Sequence, residues 1–132
     1  MLSKSHVMPA VPAKDLARAR RFYEDVLGLK PIETAPGGVF YGALDSMLLL
    51  YPSSFAGTNQ ATTMGFDVHD LAATVAELKG KGVKFEEYDM PGLKTEHGIA
   101  TIGDIKAAWF KDTEGNIISL THRAKPVAWP HG

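Results

Sequence analysis

The sequence predicts an α+β fold built from two copies of a βαβββ module, and two observations support that prediction. The order of predicted elements in residues 6–52, a strand, a helix and three more strands, recurs in residues 61–122. The same tripeptide, Asp-Leu-Ala, opens both predicted helices, at Asp15 and at Asp70. Repeated units of this size usually pack together and bury apolar faces that one copy cannot bury alone. We therefore expect both modules to form one domain.

The composition suits one globular domain and excludes several classes of function. The chain has 132 residues, of which 45% are hydrophobic, and its formal net charge is -1. That size allows a hydrophobic core. Scattered Lys and Arg predict no nucleic-acid partner and no membrane-binding patch. The absence of cysteine excludes disulfides and thiolate metal sites. The first residues lack a secretory signal and no apolar run could span a bilayer, so we expect a cytoplasmic protein.

The predicted domain covers residues 1–132. A segment rich in Pro, Ser, Gly and Asn separates the modules, which is typical of a linker. The last stretch carries two prolines and is predicted to be a tail, in which Trp129 either contacts a partner or belongs to a disordered end. The predicted boundaries are module 1 at 6–52, the linker at 53–60, module 2 at 61–122 and the tail at 123–132.

In module 1 the helix is the best-marked element. Apolar residues recur every three or four positions over residues 16–27, which is the spacing of one helix face. Asp15 is a good N-cap, because its carboxylate can accept hydrogen bonds from the free amides of the first turn. Gly28 suits a left-handed stop at the C-terminus. Before the helix we predict a strand over residues 6–11 that ends at Pro12. After it, strands are predicted over residues 29–34, 39–44 and 47–51.

Module 2 repeats this order with one addition. Asp70 is predicted to cap its helix, as Asp15 does in module 1. Residues 89–104 have no counterpart in module 1, and residues 89–97 within them contain a Pro-Gly pair and are predicted to form an irregular loop. The apolar stripe of the helix is Leu71, Val75 and Leu78, and extended segments are predicted over residues 61–68, 83–88, 98–102, 105–110 and 117–121.

The last two strands are joined by the polar loop Asp-Thr-Glu-Gly-Asn at residues 112–116. Asp, Gly and Asn tolerate the backbone conformations of a tight reversal. A loop of this length between two β-prone runs predicts a hairpin. If Asp112 lies opposite Ile117, then Phe110 and Ser119 share one face of the hairpin, because side chains alternate along a strand.

Two motifs carry a resemblance to a known family. One is Asp15 with RARRFYEDVLGL at residues 18–29, and the other is WFKDTEGNII at residues 109–118, where the family often has proline in place of Thr113. With the module repeat, they resemble the vicinal oxygen chelate superfamily, which includes glyoxalase I, extradiol dioxygenases, fosfomycin-modifying enzymes and bleomycin resistance proteins, over nearly all of residues 6–122. The resemblance implies a curved mixed sheet around a cavity. It also implies a homodimer, whose modules pack within one chain or are exchanged between chains.

The resemblance also bears on metal binding. Members that use a divalent metal take ligands from the first strand, from the strand that opens the second half and from the last strand. These positions match Met8, Thr63 and Ser119 in this sequence. A thioether and two hydroxyls lack the charge and basicity that hold such an ion. We therefore predict no metal and no other cofactor at these positions.

Other residues leave further chemistry open. Glu96 and His97 lie in the added loop and are candidates for a general acid and base. His6 with either of them is an alternative, displaced metal site. The predicted pocket is an apolar and aromatic wall with a few hydroxyls, which suits a small organic ligand. Its lining residues are predicted to be Met8, Tyr41, Tyr51, Thr63, Trp109, Phe110 and Ser119.

Three functions are consistent with this sequence. The leading prediction is a small-molecule-binding protein that resembles the bleomycin resistance proteins, lacks the usual divalent metal and takes an unidentified small organic ligand. The alternative is a glyoxalase-like or dioxygenase-like lyase or oxidoreductase with a displaced or unrecognised site. The third is a structural or regulatory dimer whose side chains fill the cavity.

Overall fold

The computed structural model of the chain describes residues 1–125 and folds them into two mixed β-sheets and two α-helices. Among these residues, no helix has the length and apolarity needed to cross a membrane. Trp129 lies outside the described residues. Sheet 1 contains β1 (Ala10–Ala13), β2 (Lys30–Ala35), β3 (Gly38–Ala43) and β4 (Ser46–Pro52). Sheet 2 contains β5 (Thr62–Asp67), β6 (Asp89–Met90), β7 (Leu93–Glu96), β8 (Ile99–Ile102), β9 (Ile105–Lys111) and β10 (Ile117–Arg123), and the helices are α1 (Leu16–Arg21) and α2 (Leu71–Gly80).

The strand order of the two sheets shows the repeated module. Sheet 1 has the order β1-β4-β3-β2, and sheet 2 has the order β5-β10-β9-β8-β7-β6. In each sheet the first strand of the module runs parallel to the last, and the other neighbours are antiparallel. This order confirms the predicted α+β fold of two related modules. The predicted tail begins too early, because Arg123 still belongs to β10.

The first strand lies further along the chain than predicted. The sequence predicted a strand over residues 6–11 that ends at Pro12, whereas β1 covers Ala10–Ala13 and contains this proline. Among residues 1–125, β1 is an edge strand that pairs only with β4. Proline is tolerated at an edge because the missing amide hydrogen costs no bond on the free side. The carbonyl of Pro12 accepts a hydrogen bond of 2.7 Å from Nδ2 of Asn116 in module 2.

The first helix begins as predicted and then widens. Asp15 caps it by accepting a 3.0 Å hydrogen bond from the amide of Arg18, and Gly28 after it has φ +74°, as a left-handed stop requires. Between them, Phe22–Val26 form a π-helical turn. The rings of its first two residues contact different sheets. The ring centroid of Phe22 lies 6.2 Å from that of Phe110 in sheet 2, and the ring centroid of Tyr23 lies 6.2 Å from that of Tyr41 in sheet 1.

The second helix confirms its predicted cap and stripe. The carboxylate of Asp70 accepts a 3.1 Å hydrogen bond from the amide of Ala73. The three residues of the predicted stripe are all buried in the core, because they recur on the face that α2 turns toward sheet 2.

The segment after α2 differs from its prediction in two respects. Residues 83–88 were predicted as a strand, but they form only an isolated bridge between Phe85 and Phe110. Residues 89–97 were predicted as an irregular loop, but they contain the β6–β7 hairpin. The hydroxyl of Thr95 accepts a 2.8 Å hydrogen bond from the amide of Tyr88, which fixes this hairpin at its base.

The last hairpin has a register one residue away from the prediction. The amide of Asp112 donates a 2.9 Å hydrogen bond to the carbonyl of Asn116, so these two residues close the loop. Phe110 therefore lies opposite Ile118 rather than opposite Ser119. A shift of one residue reverses the face of every side chain in a strand. The prediction that Phe110 and Ser119 share a face is wrong for this reason.

Both modules share one hydrophobic core, which the helices cover from one side of each sheet. Apolar burial of this kind contributes about 25 cal/mol for each Å² removed from water. The buried members are Val11, Ala13, Ala19, Tyr23, Val39, Tyr41, Leu48 and Leu50 from module 1, and Met64, Leu71, Val75, Leu78, Val83, Ala108, Phe110, Ile118 and Leu120 from module 2.

A buried carboxylate joins the modules at the loop between β9 and β10. The side chain of Glu114 is fully buried and accepts hydrogen bonds from Nε of Arg18 (2.8 Å), Nη2 of Arg18 (3.0 Å), the amide of Asp15 (2.8 Å) and the hydroxyl of Thr113 (2.9 Å). Burial alone would raise the pKa of Glu114. The hydrogen bonds and the charge of Arg18 outweigh burial and lower this pKa to about 2.

The same loop is ordered from within by Asp112. One carboxylate oxygen accepts hydrogen bonds of 2.9 Å from the amides of Glu114 and Asn116. The other accepts 2.9 Å from Nδ2 of Asn116 and 2.7 Å from the hydroxyl of Tyr23 on the π-helical turn. Burial, together with the charge of Asp112, raises the pKa of Tyr23 far above its ordinary value, so its hydroxyl stays a donor. The side chains of Asp112 and Asn116 therefore organise the turn.

We expect the substitution Glu114→Gln to lower the free energy of unfolding by about 2 kcal/mol at neutral pH, because an amide presents an NH2 group to donors that need an acceptor. The folded-state pKa of Glu114 is about 2, whereas the unfolded value is about 4.3. The stability that this carboxylate contributes is therefore complete above the unfolded pKa and is lost as pH falls toward the folded pKa. Urea unfolding over that pH range measures both effects.

The matched control for this prediction is Glu33→Gln, which changes an exposed glutamate on β2. We expect little change in its stability and a wild-type dependence on acid. If Glu114→Gln retained the full acid-dependent loss of stability, the assignment of that loss to Glu114 would be wrong.

Candidate functional site

Each sheet has a second side that turns away from the shared core, which we call its outer face. On sheet 1 the outer face carries Phe40, Leu49 and Tyr51, which are half-buried and alternate with core residues along β3 and β4. Phe40 lies opposite Leu49 across the strands. The centre of this face is therefore apolar and aromatic, with the hydroxyl of Tyr51, and Glu33 lies opposite Phe40 on the edge strand.

The outer face of sheet 2 combines an aromatic ring with hydroxyl groups. Trp109 on β9 lies directly opposite Ser119 on β10, and Ser119 lies opposite Gly65 on β5. A Cβ atom at Gly65 would collide with Oγ of Ser119, so the missing side chain makes room for this hydroxyl. Thr63, two residues earlier on β5, is half-buried where the register with β10 shifts.

The β6–β7 hairpin contributes an aromatic side chain to this face. The ring of Tyr88 meets the ring of Trp109 edge to face, with centroids 5.5 Å apart and planes at 84°. Aromatic pairs in this geometry are favourable beyond the area they bury. Burial, and then the negative charge of Glu86, raise the pKa of the Tyr88 hydroxyl. The hydroxyl of Thr95, which holds the Tyr88 amide, is thus a positioning group for the rim of this face.

The structure divides the predicted pocket residues among three places. Trp109, Ser119 and Thr63 lie together on sheet 2, on the outer face or at its edge. Tyr51 lies on the outer face of sheet 1. Met8 is 37% exposed and precedes β1, also on the side of sheet 1.

The other two predicted pocket residues do not lie on an outer face, which corrects their predicted position. Phe110 is fully buried against Phe22 and Phe85 in the core, as the corrected hairpin register requires. Tyr41 lies opposite Leu48 and is also fully buried.

The hydroxyl of Tyr41 has a structural partner. It donates a 2.7 Å hydrogen bond to Glu24, which also accepts 2.9 Å from Nε of Arg20. Burial and the bond to Glu24 raise the pKa of Tyr41, while the hydrogen bond from Tyr41 lowers the pKa of Glu24 despite its partial burial. Tyr41 therefore fixes the π-helical turn onto sheet 1.

The candidate acid–base residues lie elsewhere on sheet 2. Glu96 is exposed and pairs with Ile99 at the end of β7. His97 occupies the next turn with φ +53°, and its carbonyl accepts a 3.1 Å hydrogen bond from Nζ of Lys79. His6 precedes β1, on the side of sheet 1. Within residues 1–125, no three His, Cys, Asp or Glu side chains lie close enough together to hold a metal ion.

The residues at the family's metal positions do not fit a divalent ion. Thr63 and Ser119 offer neutral hydroxyls on neighbouring strands, and Met8 offers a thioether next to the other sheet. None of these groups carries the charge or basicity that Zn²⁺, Fe²⁺ or Mn²⁺ needs from protein ligands. We derive no chemistry through a metal at these positions.

The sequence interpretation missed Tyr88 and Thr95 as parts of the site. Pro91 and Gly92 form the turn of the β6–β7 hairpin, and a Pro-Gly pair is a recognised turn signal. The two residues on each side of this turn pair with each other, so the Pro-Gly pair and its neighbours could have predicted a short hairpin. No local pattern shows that the hydroxyl of Thr95 takes the amide of Tyr88.

We expect Thr95→Val to speed hydrogen exchange at the Tyr88 amide about tenfold, because valine keeps the shape of threonine but removes the acceptor of that amide. Hydrogen exchange followed by NMR measures this rate at single residues. Thr34→Val, at an exposed position of the edge strand β2, is the control and should leave the Tyr88 amide unchanged. Equal rates in Thr95→Val and the parent protein would show that another contact holds the hairpin.

Comparison with known proteins identifies the fold. A model of the Glyoxalase/Bleomycin resistance protein/Dioxygenase superfamily matches residues 5–120. No curated protein matches the chain.

Solved structures share the fold at low sequence identity. A glyoxalase/bleomycin resistance protein/dioxygenase from Alicyclobacillus acidocaldarius is 18% identical with a TM-score of 0.68, over 92% of this chain and 93% of that chain. A lactoylglutathione lyase from Agrobacterium tumefaciens is 22% identical with a TM-score of 0.64, over 90% and 93%. TnmS3, an antibiotic binding protein from Streptomyces sp. CB03234, is 22% identical with a TM-score of 0.62, over 94% and 100%.

Proposed function

Because the chain belongs to the Glyoxalase/Bleomycin resistance protein/Dioxygenase superfamily, we propose that it binds a small organic molecule on the outer face of sheet 2 without a divalent metal. The match confirms the family resemblance that the two motifs predicted. The observation that carries the proposal is Trp109 beside Ser119, with the Tyr88 ring at its edge. Among structures with this fold, one is an antibiotic binding protein and another is a lactoylglutathione lyase.

The chemistry of this face suits recognition by stacking and hydrogen bonding. An indole ring offers a large, rigid apolar surface, and an aromatic ligand that stacks on it gains both burial and ring contact. The hydroxyls of Ser119 and Thr63 can each donate or accept a hydrogen bond. A few such groups orient a ligand that is held mainly by apolar contact.

The same family membership leads us to propose a homodimer in which a second copy covers the outer face of sheet 1. This face leaves apolar side chains in water, with Ile32 58% exposed and Met47 41% exposed, next to Phe40 and Leu49. Contiguous exposed apolar surface is typical of an interaction site. Sedimentation equilibrium measures the assembly, and a monomer at high concentration would contradict it.

The cytoplasmic location and the lack of nucleic-acid or membrane partners stay predictions.

Fluorescence of Trp109 tests the proposed ligand face. The chain has two tryptophans, so Trp129→Phe leaves Trp109 as the only reporter. We expect saturable quenching by at least one compound in a panel of bleomycin and polycyclic aromatic antibiotics. In thermal-shift titrations, Trp109→Leu should weaken that compound about tenfold, because stacking and ring burial are lost.

The control is Phe55→Leu, which removes an aromatic ring that is 75% exposed in the linker, and it should leave affinity unchanged. If no compound quenches Trp109, or if Trp109→Leu binds as well as the parent, the outer face of sheet 2 is not the ligand site.

Metal removal separates binding from family-type catalysis. We expect ligand affinity to be the same in EDTA and in added Zn²⁺ or Mn²⁺, because Thr63 and Ser119 do not fit these ions. Elemental analysis of untagged protein should give no stoichiometric metal. Metal-stimulated turnover of a hemithioacetal or a catechol that is lost in Glu96→Ala or His97→Ala would instead establish the alternative of an enzyme with a displaced site.

A further inference from the structure

A cavity of about 370 Å³ opens between the start of α2 and sheet 2, on the side opposite the outer face. Its lining comes from the connection between β5 and α2 and from β8, β9 and β10, and we call it the α2 cavity. None of the residues predicted for the pocket lines it. Its size falls within the range of small-molecule sites. Its lining residues are His69, Asp70, Leu71, Ala72, Ile99, Thr101, Lys106 and His122.

Hydrogen bonding fixes one imidazole at this cavity. Nδ1 of His122 lies 3.1 Å from the carbonyl oxygen of Val68. A carbonyl only accepts, so Nδ1 carries the hydrogen, and Nε2 meets a ligand as an acceptor in the neutral ring and as a donor in the imidazolium. The amide of Val68 donates 2.8 Å to the carbonyl of Thr121, which holds this segment beside β10. The imidazole is therefore oriented before any ligand arrives.

The rim of the cavity carries one ammonium, two imidazoles and one carboxylate. Lys106 lies directly opposite His122 across β9 and β10, and His69 lies on the connection that enters α2. The single acidic side chain of the lining, Asp70, already accepts the amide of Ala73 as the helix cap. The rim thus combines the permanent cation of Lys106 and two imidazoles with a carboxylate that accepts a hydrogen bond from the helix.

The inner wall of the cavity is apolar. Leu71 is 4% exposed and belongs to the shared core, and Ile99 is half-buried and packs against that core. Thr101 adds a hydroxyl at the side of β8. The cavity thus has an apolar wall and a rim that carries the ammonium of Lys106, an arrangement that matches a ligand with an apolar body and a negative head group.

We propose that the α2 cavity is a binding site for a small organic anion. The carboxylate or phosphate group of the ligand pairs with the ammonium of Lys106 and accepts a hydrogen bond from Nε2–H of the imidazolium form of His122, and the apolar body lies against Leu71 and Ile99. Charge-assisted hydrogen bonds of this kind are stronger than bonds between neutral groups. The site is separate from the outer face of sheet 2, so it does not depend on the function proposed for that face.

NMR titration of the ¹⁵N-labelled full chain tests this site. The probes are benzoate, phenyl phosphate and the neutral analogue benzyl alcohol. We expect saturable shifts from at least one anion at residues 69–72, Thr101, Lys106 and His122. Benzyl alcohol should bind more weakly, because it lacks the charge. Lys106→Met should raise the dissociation constant about tenfold, as expected when one charge-assisted bond is lost.

The matched control is Lys111→Met, which removes the same charge from the same strand at an exposed lysine 3.8 Å from Glu86. It should bind the anion like the parent. His122→Gln provides a second test if Lys106→Met does not fold, and it should also weaken binding. The proposal is overturned if neither anion gives saturable shifts, if benzyl alcohol binds equally well, or if shifts arise only around Trp109.

Discussion

The carboxylate of Glu114 is buried at the junction of the modules, and the arrangement of the whole chain depends on how its charge is satisfied. Burial of an unpaired carboxylate is costly, so the charge persists only with donors around it. Two of those donors, the amide of Asp15 and the guanidinium of Arg18, belong to the start of α1. The hairpin loop of module 2 and the helix of module 1 must therefore fold together.

The loop that carries Glu114 also sets which side chains face a ligand. Asp112 and Asn116 close it, and this closure fixes the register of β9 and β10. Trp109 and Ser119 consequently share the outer face, while Phe110 enters the core. These few hydrogen bonds thus join the modules and fix the register of both strands. Because side chains alternate along a strand, the register decides which of them face outward.

Local sequence signals predicted most elements but not the contacts between them. Helix caps and stops act within a few residues, so the amino-acid sequence alone identified those at Asp15, Asp70 and Gly28. The hydrogen bond between Arg18 and Glu114 spans 96 positions, and no local sequence pattern near either residue predicts it. The register of the last hairpin failed for a related reason, since the closing pair of a five-residue loop is decided by side-chain hydrogen bonds.

Sheet 2 can carry two binding sites because the side chains of β9 and β10 alternate between its two faces, and the two faces differ in chemistry. Along β9 and β10, Trp109 and Ser119 point to the outer face, whereas Lys106 and His122 point to the side of α2. One side presents an aromatic ring with hydroxyls, and the other presents an ammonium and an imidazole beside an apolar wall. A neutral aromatic ligand and an organic anion would then select opposite sides of the same sheet, and neither would need to displace the other.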